Sequence, residues 1–157
     1  MIISKSLRIG CQFLLYNIKA LDWAYTDKLE KYCPLAVVMC DLNGLKEIND
    51  QKGHDAGDKF IVQTAQTLKA VFGKRHVYRL GGDEFIAVLP NITHLAFQKL
   101  LESAKSQLGA TASLGTAIND TMDTDFESLL KAADAEMYEN KKKYYIVSGK
   151  DRRKHSL

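Results

Sequence analysis

The sequence has 157 residues, of which 46% are hydrophobic and 26% charged, with a formal net charge of +3. These values are typical of a soluble globular domain with one core, and they exclude a disordered or fibrous chain. The cysteines Cys11, Cys33 and Cys40 are odd in number and have no CxxC spacing. They predict reduced thiols in a cytoplasmic protein rather than a disulfide framework.

The chain has no internal repeat or linker, so we predict one domain over residues 1–157. Its parts are an N-terminal helix in 1–33, a core in 34–148 and a basic tail in 149–157. The apolar run before Tyr16 is too short to cross a bilayer, so we expect no stable membrane insertion. A basic tail is usually a solvated surface, and we expect no nucleic-acid partner.

The first predicted elements are an amphipathic helix over 16–31 and a strand over 35–40. Six consecutive apolar residues predict a strand that is buried on both faces, and it ends at Asp41. A polar stretch over 43–58 follows. The next apolar positions, from Phe60 to Phe72, predict a helix that Gly73 ends.

A β-hairpin is predicted around Gly81-Gly82-Asp83-Glu84-Phe85, because β-branched and aromatic residues flank a glycine turn. The two glycines would supply the positive φ of that turn. Further elements are a helix over 93–107 with Thr93 as N-cap, a strand over 111–118, a helix over 126–142 and a strand over 144–147. This order predicts an α/β (α+β) sandwich with a mostly antiparallel sheet.

Two carboxylates, Asp41 and Asp83, have no basic residue beside them in the sequence. An acid at the end of a buried strand and an acid at a hairpin tip could together hold one or two hard cations, of which Mg²⁺ is favoured by oxygen ligands and substrate phosphates. The alternative is that Asp41 caps its strand and Asp83 is ordinary turn chemistry.

Three blocks of the sequence together resemble the GGDEF domain of the diguanylate cyclase family. The first two are the unchanged Gly81-Gly82-Asp83-Glu84-Phe85 motif and a long signature that precedes it. That signature reads Asp41-Leu42-Asn43-x-x-Lys46-x-Ile48-Asn49-Asp50-x-x-Gly53-His54-Asp55-x-Gly57-Asp58. The third block is Ala133-Asp134-x-x-Met137-Tyr138-x-x-Lys141.

The resemblance implies a palm-like nucleotidyl-cyclase fold, with a central five-stranded sheet flanked by helices. It implies a diguanylate cyclase that condenses two GTP into cyclic di-GMP, releases pyrophosphate and depends on Mg²⁺, for which Mn²⁺ could substitute. Each chain of such enzymes holds one GTP, so the family implies a homodimer. Most members of the family are controlled by an attached sensor domain, so either such a domain lies upstream of this chain, or control depends on the N-terminal helix and on concentration.

The family also implies roles for individual residues. Asp41, Asp83 and the Leu42 carbonyl would bind the metal, and Asp83 would accept the proton of the attacking hydroxyl. Lys46 and Lys141 would contact phosphate. The remaining roles are close approach of triphosphate at Gly81 and Gly82, guanine recognition by Asn49, His54 and Asp58, and a secondary catalytic or metal role for Glu84.

Alternatives remain for several of these residues: Asn49 and Asp58 could be loop or helix caps, His54 could stabilise a turn, and Glu84 could pair with a basic residue. Three departures from the family pattern also stand out. Residues 10–18 keep only the end of the usual N-terminal signature, Phe72-Gly73-Lys74-Arg75 replaces the Arg-x-x-Asp product-inhibition motif, and Tyr145 replaces a basic residue. The alternative function is an impaired GGDEF domain that binds GTP as a regulatory module.

Overall fold

The computed structural model of the protein describes residues 31–121 and 124–149. The elements in chain order are β1 (Leu35–Leu42), α1 (Leu45–Lys52), α2 (His54–Phe72), β2 (Val77–Gly81), β3 (Glu84–Leu89), α3 (His94–Leu108), a 3-10 turn (Gly109–Thr111), β4 (Ala112–Asn119) and α4 (Phe126–Val147). The predicted helix over 16–31, apart from its last residue, lies outside the described residues. So does the charged part of the basic tail.

The sheet has the strand order β2-β3-β1-β4, and every neighbouring pair is antiparallel. The predicted α+β class with an antiparallel sheet is confirmed, but the described part of the chain has four strands rather than five. The predicted strand over 144–147 is wrong, because these residues form the last turn of α4. These four residues have strand propensity, but propensity stabilises a strand only when the side chains pack on a sheet. Ile146 and Val147 remain exposed, so they gain no such packing.

Side-chain alternation along β1 divides the core into two layers. All eight residues of β1 are buried, as the apolar run predicts. Leu35, Val37 and Met39 pack with α4 on one face. Ala36, Val38, Cys40 and Leu42 pack with α2 and α3 on the other face. Because successive strand residues point to opposite faces, Asp41 lies on the α4 face of the sheet.

The stretch over 43–58, predicted only as polar, contains α1 and the start of α2. Helix α1 has no buried residue, so it lacks the apolar periodicity by which a helix is detected in sequence. Because α2 begins at His54, Asp58 lies in its second turn and is not the helix N-cap.

The other helix boundaries agree closely with the prediction. Gly73 follows the end of α2, and the Thr93 side chain accepts a hydrogen bond from the Ala96 backbone N–H at 3.2 Å, as a helix N-cap does. The buried residues of α3 are Phe97, Ala104 and Leu108, whereas Leu95 is 63% exposed.

Candidate active site

Asp41 lies at the end of the central strand, and its side chain is only 10% exposed. In the antiparallel register it is opposite Glu84 of β3 on one side and Ser113 of β4 on the other. Directly opposed residues share a face of the sheet. The packing of β1 against both neighbours therefore places two carboxylates side by side under α4.

Asp83 lies in the turn between β2 and β3, as the sequence predicts. Of the two glycines, Gly82 has the positive φ expected of the turn, at 43°, and Gly81 does not. The Arg79 guanidinium donates to the Gly82 carbonyl oxygen from Nε at 3.0 Å and from Nη2 at 2.5 Å. These bonds hold the turn closed from its outer side.

A backbone hydrogen bond joins the hairpin turn to the end of β1. The Leu42 N–H donates to the Asp83 carbonyl oxygen at 3.0 Å. The two strand ends that carry Asp41 and Asp83 are thereby fixed to each other. The predicted metal-binding residues Asp41, Leu42 and Asp83 thus lie in one cluster.

Lys141 of α4 reaches into this cluster. Its ammonium group donates to Asp41 Oδ1, and its Nζ lies 4.0 Å from Asp83 Oδ2. Its side chain is 22% exposed, so this is a partly buried contact rather than a surface ion pair. We call Asp41, Asp83, Glu84 and Lys141 the acid–lysine cluster.

Negative charge is concentrated in the acid–lysine cluster beyond what one lysine offsets. Burial raises the pKa of Asp41; Lys141 opposes this rise, and the charge of Asp83 adds to it. Partial burial also raises the pKa of Glu84, as do the charges of Asp41, Asp83 and Asp134. Such a cluster favours an added cation.

Cys40, next to Asp41, is not available as a nucleophile. Burial, reinforced by the charge of Asp41, raises the pKa of its thiol to about 12. The thiol points to the opposite core layer from Asp41, with Val38 and Leu42. It stays protonated and acts as a core side chain.

Gly115 of β4 allows α4 to approach the sheet closely enough for Lys141 to reach Asp41. A Cβ added at Gly115 would collide with the Ala133 carbonyl oxygen and the Met137 backbone. Ala133, Met137 and Lys141 are each four residues apart, so they lie on one face of the helix. The sequence shows a glycine at position 115, but it does not show that α4 packs against it.

Asn43 is a buried residue at this site whose structural role the sequence did not reveal. Its side-chain amide donates to the Ala110 carbonyl oxygen at 3.0 Å and accepts from the Ser113 hydroxyl at 2.9 Å. Its backbone N–H donates to the Thr111 carbonyl oxygen at 2.8 Å. Asn43 therefore joins the end of β1 to the start of β4.

The predicted guanine-recognition residues form a second, more exposed group. The Asn49 side chain lies over Gly57 of α2, where an added Cβ would collide with its amide. His54 and Asp58 are both exposed on α2. Lys46 is exposed in the first turn of α1.

Lys142 and Lys143, the basic residues nearest to Tyr145 in the described part of the sequence, differ in their surroundings. Lys142 Nζ lies 2.8 Å from Glu139 Oε1 and 4.5 Å from the centre of the Tyr138 ring. Lys143 is exposed. Tyr145 packs edge-to-face with Tyr144, at 5.3 Å between ring centroids.

Residues 15–145 match the family model of the diguanylate cyclase GGDEF domain. The chain belongs to the GGDEF domain family, which confirms the resemblance predicted from its motifs. It is 35% identical over 121 residues to the diguanylate cyclase DgcP of Escherichia coli K12. That match covers 69% of this chain and 36% of the relative, so the chain spans about a third of that protein's length.

Solved structures show the same fold. A sensory box/GGDEF family protein from Caulobacter crescentus CB15 is 31% identical, with a TM-score of 0.67 over 83% of this chain and 94% of the other. The GGDEF domain of DgcB from Caulobacter crescentus, solved in complex with c-di-GMP, has a TM-score of 0.72 at 21% identity. That match covers 88% of this chain and 94% of the other. At this identity the second likeness supports the fold alone.

A search of the described residues for membrane-spanning segments gave none: no helix there combines the length and apolar character that a bilayer crossing requires.

Proposed function

We propose that the protein is a diguanylate cyclase that condenses two GTP molecules into cyclic di-GMP with release of pyrophosphate. The observation that carries this proposal is the acid–lysine cluster, in which Asp41 and Asp83 from adjoining strand ends meet Lys141 from α4. Membership of the GGDEF family and likeness to a relative named diguanylate cyclase support it. GTP is a cytoplasmic nucleotide, so we place the reaction in the cytoplasm.

The cluster is suited to a hard divalent cation, and we propose Mg²⁺, with Mn²⁺ as a substitute. Its donors are carboxylate oxygens and the Leu42 carbonyl, and they carry more negative charge than Lys141 offsets. Among the described residues, no three His, Cys, Asp or Glu side chains form a metal site. Mg²⁺ typically has few protein ligands and keeps water and substrate phosphate as its other ligands.

The bound cation would neutralise charge that builds on the attacking oxygen and on the α-phosphate. Asp83 is 39% exposed, so it can reach substrate, and we propose that it accepts the proton of the 3′-hydroxyl. The new bond joins that oxygen to the α-phosphorus of the other GTP. The bond to the β-phosphate bridging oxygen breaks, pyrophosphate leaves, and the second condensation closes the ring.

The phosphates would bind between the hairpin turn and the N-terminus of α1. No side chain caps α1 at Gly44, so its first N–H groups can bind an anion. Lys46 in the first turn adds positive charge. Among the described residues, nothing lies within 4 Å of a Cβ added at Gly81 or Gly82, so substrate can approach the backbone there. Lys141 would contact the terminal phosphates by moving from Asp41.

Guanine selection would fall to Asn49, His54 and Asp58. A carboxylate accepts from the guanine N1 and N2 hydrogens together, which adenine does not offer. The contact of Asn49 with Gly57, the residue before Asp58 on α2, supports a joint role, with an amide and a carboxylate on one base edge.

Turnover requires two chains facing each other, because each site holds one GTP; we therefore propose a catalytic homodimer. We also propose that product inhibition through an Arg-x-x-Asp motif is absent. Phe72, which stands where that arginine would be, is a buried core residue of α2. An apolar core side chain cannot bind a phosphate.

An impaired, GTP-binding regulatory module is the second candidate, favoured by the altered signature at residues 10–18. The test is incubation of the purified chain with GTP and Mg²⁺, followed by mass spectrometry. We expect one cyclic di-GMP and two pyrophosphates for every two GTP consumed. Mn²⁺ should support this activity, EDTA should abolish it, and ATP should give no product. GTP binding without product would instead support the regulatory module.

A further inference from the structure

Two side chains of α4 form hydrogen bonds to the backbone of β4 beside the acid–lysine cluster. Asn140 Nδ2 donates to the Leu114 carbonyl oxygen at 2.7 Å. Glu136 Oε2 accepts from the Thr116 backbone N–H at 2.5 Å and from the Thr116 hydroxyl at 2.9 Å. Burial of a helix on a sheet does not require hydrogen bonds between its side chains and the strand backbone. We infer that these hydrogen bonds hold α4 at one position on the sheet.

These contacts lie on the free side of β4. Strand β4 pairs with β1 and has no second neighbour in the described sheet order. In an antiparallel pair, alternate residues direct their N–H and C=O groups away from the partner strand. Leu114 and Thr116 are two residues apart, so both direct their backbone groups to this free side. Asn140 bonds to the carbonyl of Leu114, and Glu136 bonds to the N–H of Thr116.

The spacing matches the helix to the strand. Glu136 and Asn140 are four residues apart, so they lie on one face of α4, about one turn from each other. Their partners on β4, Leu114 and Thr116, lie on either side of Gly115, against which the helix backbone packs directly. The contacts therefore fix the height of α4 along β4, its rotation and its distance from the sheet.

Lys141 follows Asn140 directly. Leu114 adjoins Ser113, the residue opposite Asp41 in the register. The hydrogen bond between Asn140 and Leu114 thus lies one residue from Lys141 on the helix, and one residue along β4 from the position opposite Asp41. A shift of α4 by a single residue would remove Lys141 from Asp41.

We propose that Glu136 and Asn140 are positioning residues for Lys141, which hold α4 so that the ammonium group sits between Asp41 and Asp83. The inference rests on the proposed function only for its effect on turnover. The contacts themselves predict a placement of Lys141 that can be measured without nucleotide.

The first test is amine acetylation of the metal-free chain, with the labelling rate of each lysine followed by peptide mass spectrometry. In the double variant Glu136→Ala with Asn140→Ala, we expect Lys141 to be labelled at least about threefold faster than in the unaltered chain. Lys131, whose side chain is 74% exposed, serves as the internal reference and should not change.

Two matched variants accompany this test. Glu136→Gln keeps an oxygen that can accept from Thr116, so Lys141 should stay protected. Glu139→Ala removes an exposed acid between the two positions, which among the described residues accepts a hydrogen bond from Lys142 of the same helix. It should also leave Lys141 protected. Unchanged Lys141 labelling in the folded double variant, or an equal rise at Lys131, would overturn the proposal.

The second test is a double-mutant cycle on the rate of product formation. The double variant should lower kcat/KM for GTP by about tenfold in the unaltered background, and by less than about twofold when Lys141→Ala is already present, because a residue that acts through Lys141 has no further effect without it. Equal losses in both backgrounds would overturn the proposal. An inactive unaltered chain would refute the proposed function, and the labelling result would then decide the positioning role.

Discussion

The acid–lysine cluster and the guanine-recognition group differ in how the fold holds them. Asp41 is fixed by strand register on both sides, and α4 packs over it. His54 and Asp58 instead project from the exposed face of a helix, and Asn49 contacts that helix from α1. Under the proposed function, the chemical step would take place at buried strand ends, and nucleotide selection would fall to side chains that solvent reaches.

This difference predicts different consequences of substitution. Changes in the buried cluster should affect turnover or stability strongly, because register and packing leave neighbouring residues no room to compensate. Changes on α1 and α2 should leave the fold intact and alter nucleotide choice.

The largest effect is expected for Asp83→Ala. Loss of the proton acceptor and of one metal ligand should reduce kcat by at least about 10³-fold. The turn position is partly exposed, so the melting temperature should change little. Glu127→Ala, which removes an exposed acid on α4 that pairs with Lys131, is the matched control and should retain full activity. Substantial cyclic di-GMP synthesis by Asp83→Ala would refute the role.

The next largest effect is expected for Gly115→Ala. The added methyl group collides with the α4 backbone, and overpacking of this kind typically costs about 1–3 kcal/mol. The melting temperature measured by circular dichroism should fall by about 5 °C or more. Gly81→Ala is the control, since its methyl group meets no described atom within 4 Å; an equal loss in both variants would contradict the close-approach account.

A smaller and more selective effect is expected for Asp58→Ala. The carboxylate that would accept two guanine hydrogens is lost, so GTP affinity measured by calorimetry should fall about tenfold, while ATP affinity changes less than about twofold. Equal losses for the two nucleotides would remove Asp58 from guanine recognition. Asp55→Ala, which removes an exposed acid from the first turn of α2, is the matched control and should leave GTP affinity unchanged.

The smallest effect in energy is expected for Asp41→Asn without metal. The raised pKa of Asp41 means that its folded-state carboxylate is disfavoured, so its contribution to stability falls as pH rises through its titration. Asparagine does not titrate. Asp41→Asn should therefore be more stable than the unaltered chain at pH 7 in urea denaturation, and the difference should shrink as the pH falls through the titration of Asp41.

Mg²⁺ should reverse the order of stability of the unaltered chain and Asp41→Asn. Mg²⁺ binds the folded unaltered chain and should raise its melting temperature, whereas Asp41→Asn should show little change. The same Mg²⁺ response in both chains would exclude Asp41 as a ligand.

Much of the fold could be predicted from local patterns. The apolar run over 35–40 predicts a buried central strand, and the glycine turn at 81–82 predicts a hairpin; both are confirmed. Helix α1 was missed because it buries no residue. The strand predicted over 144–147 was wrong because strand propensity cannot show that α4 continues through those residues.

The candidate site could be predicted only as a set of residue types. Asp41 and Asp83 stand out in sequence because no basic residue adjoins them, but the lysine that neutralises them lies on α4, far along the chain. Asn43 and Asn140 carry no such signal. Their hydrogen bonds depend on which strand and helix lie next to them, and a single sequence does not record that.

The most direct measurement of the central claim is the rate of cyclic di-GMP formation per chain, followed across a series of protein concentrations with saturating GTP and Mg²⁺. The account predicts product from this chain, with a specific rate that rises with concentration and then levels off as two half-sites pair. Bound GTP with no product at any concentration would contradict it.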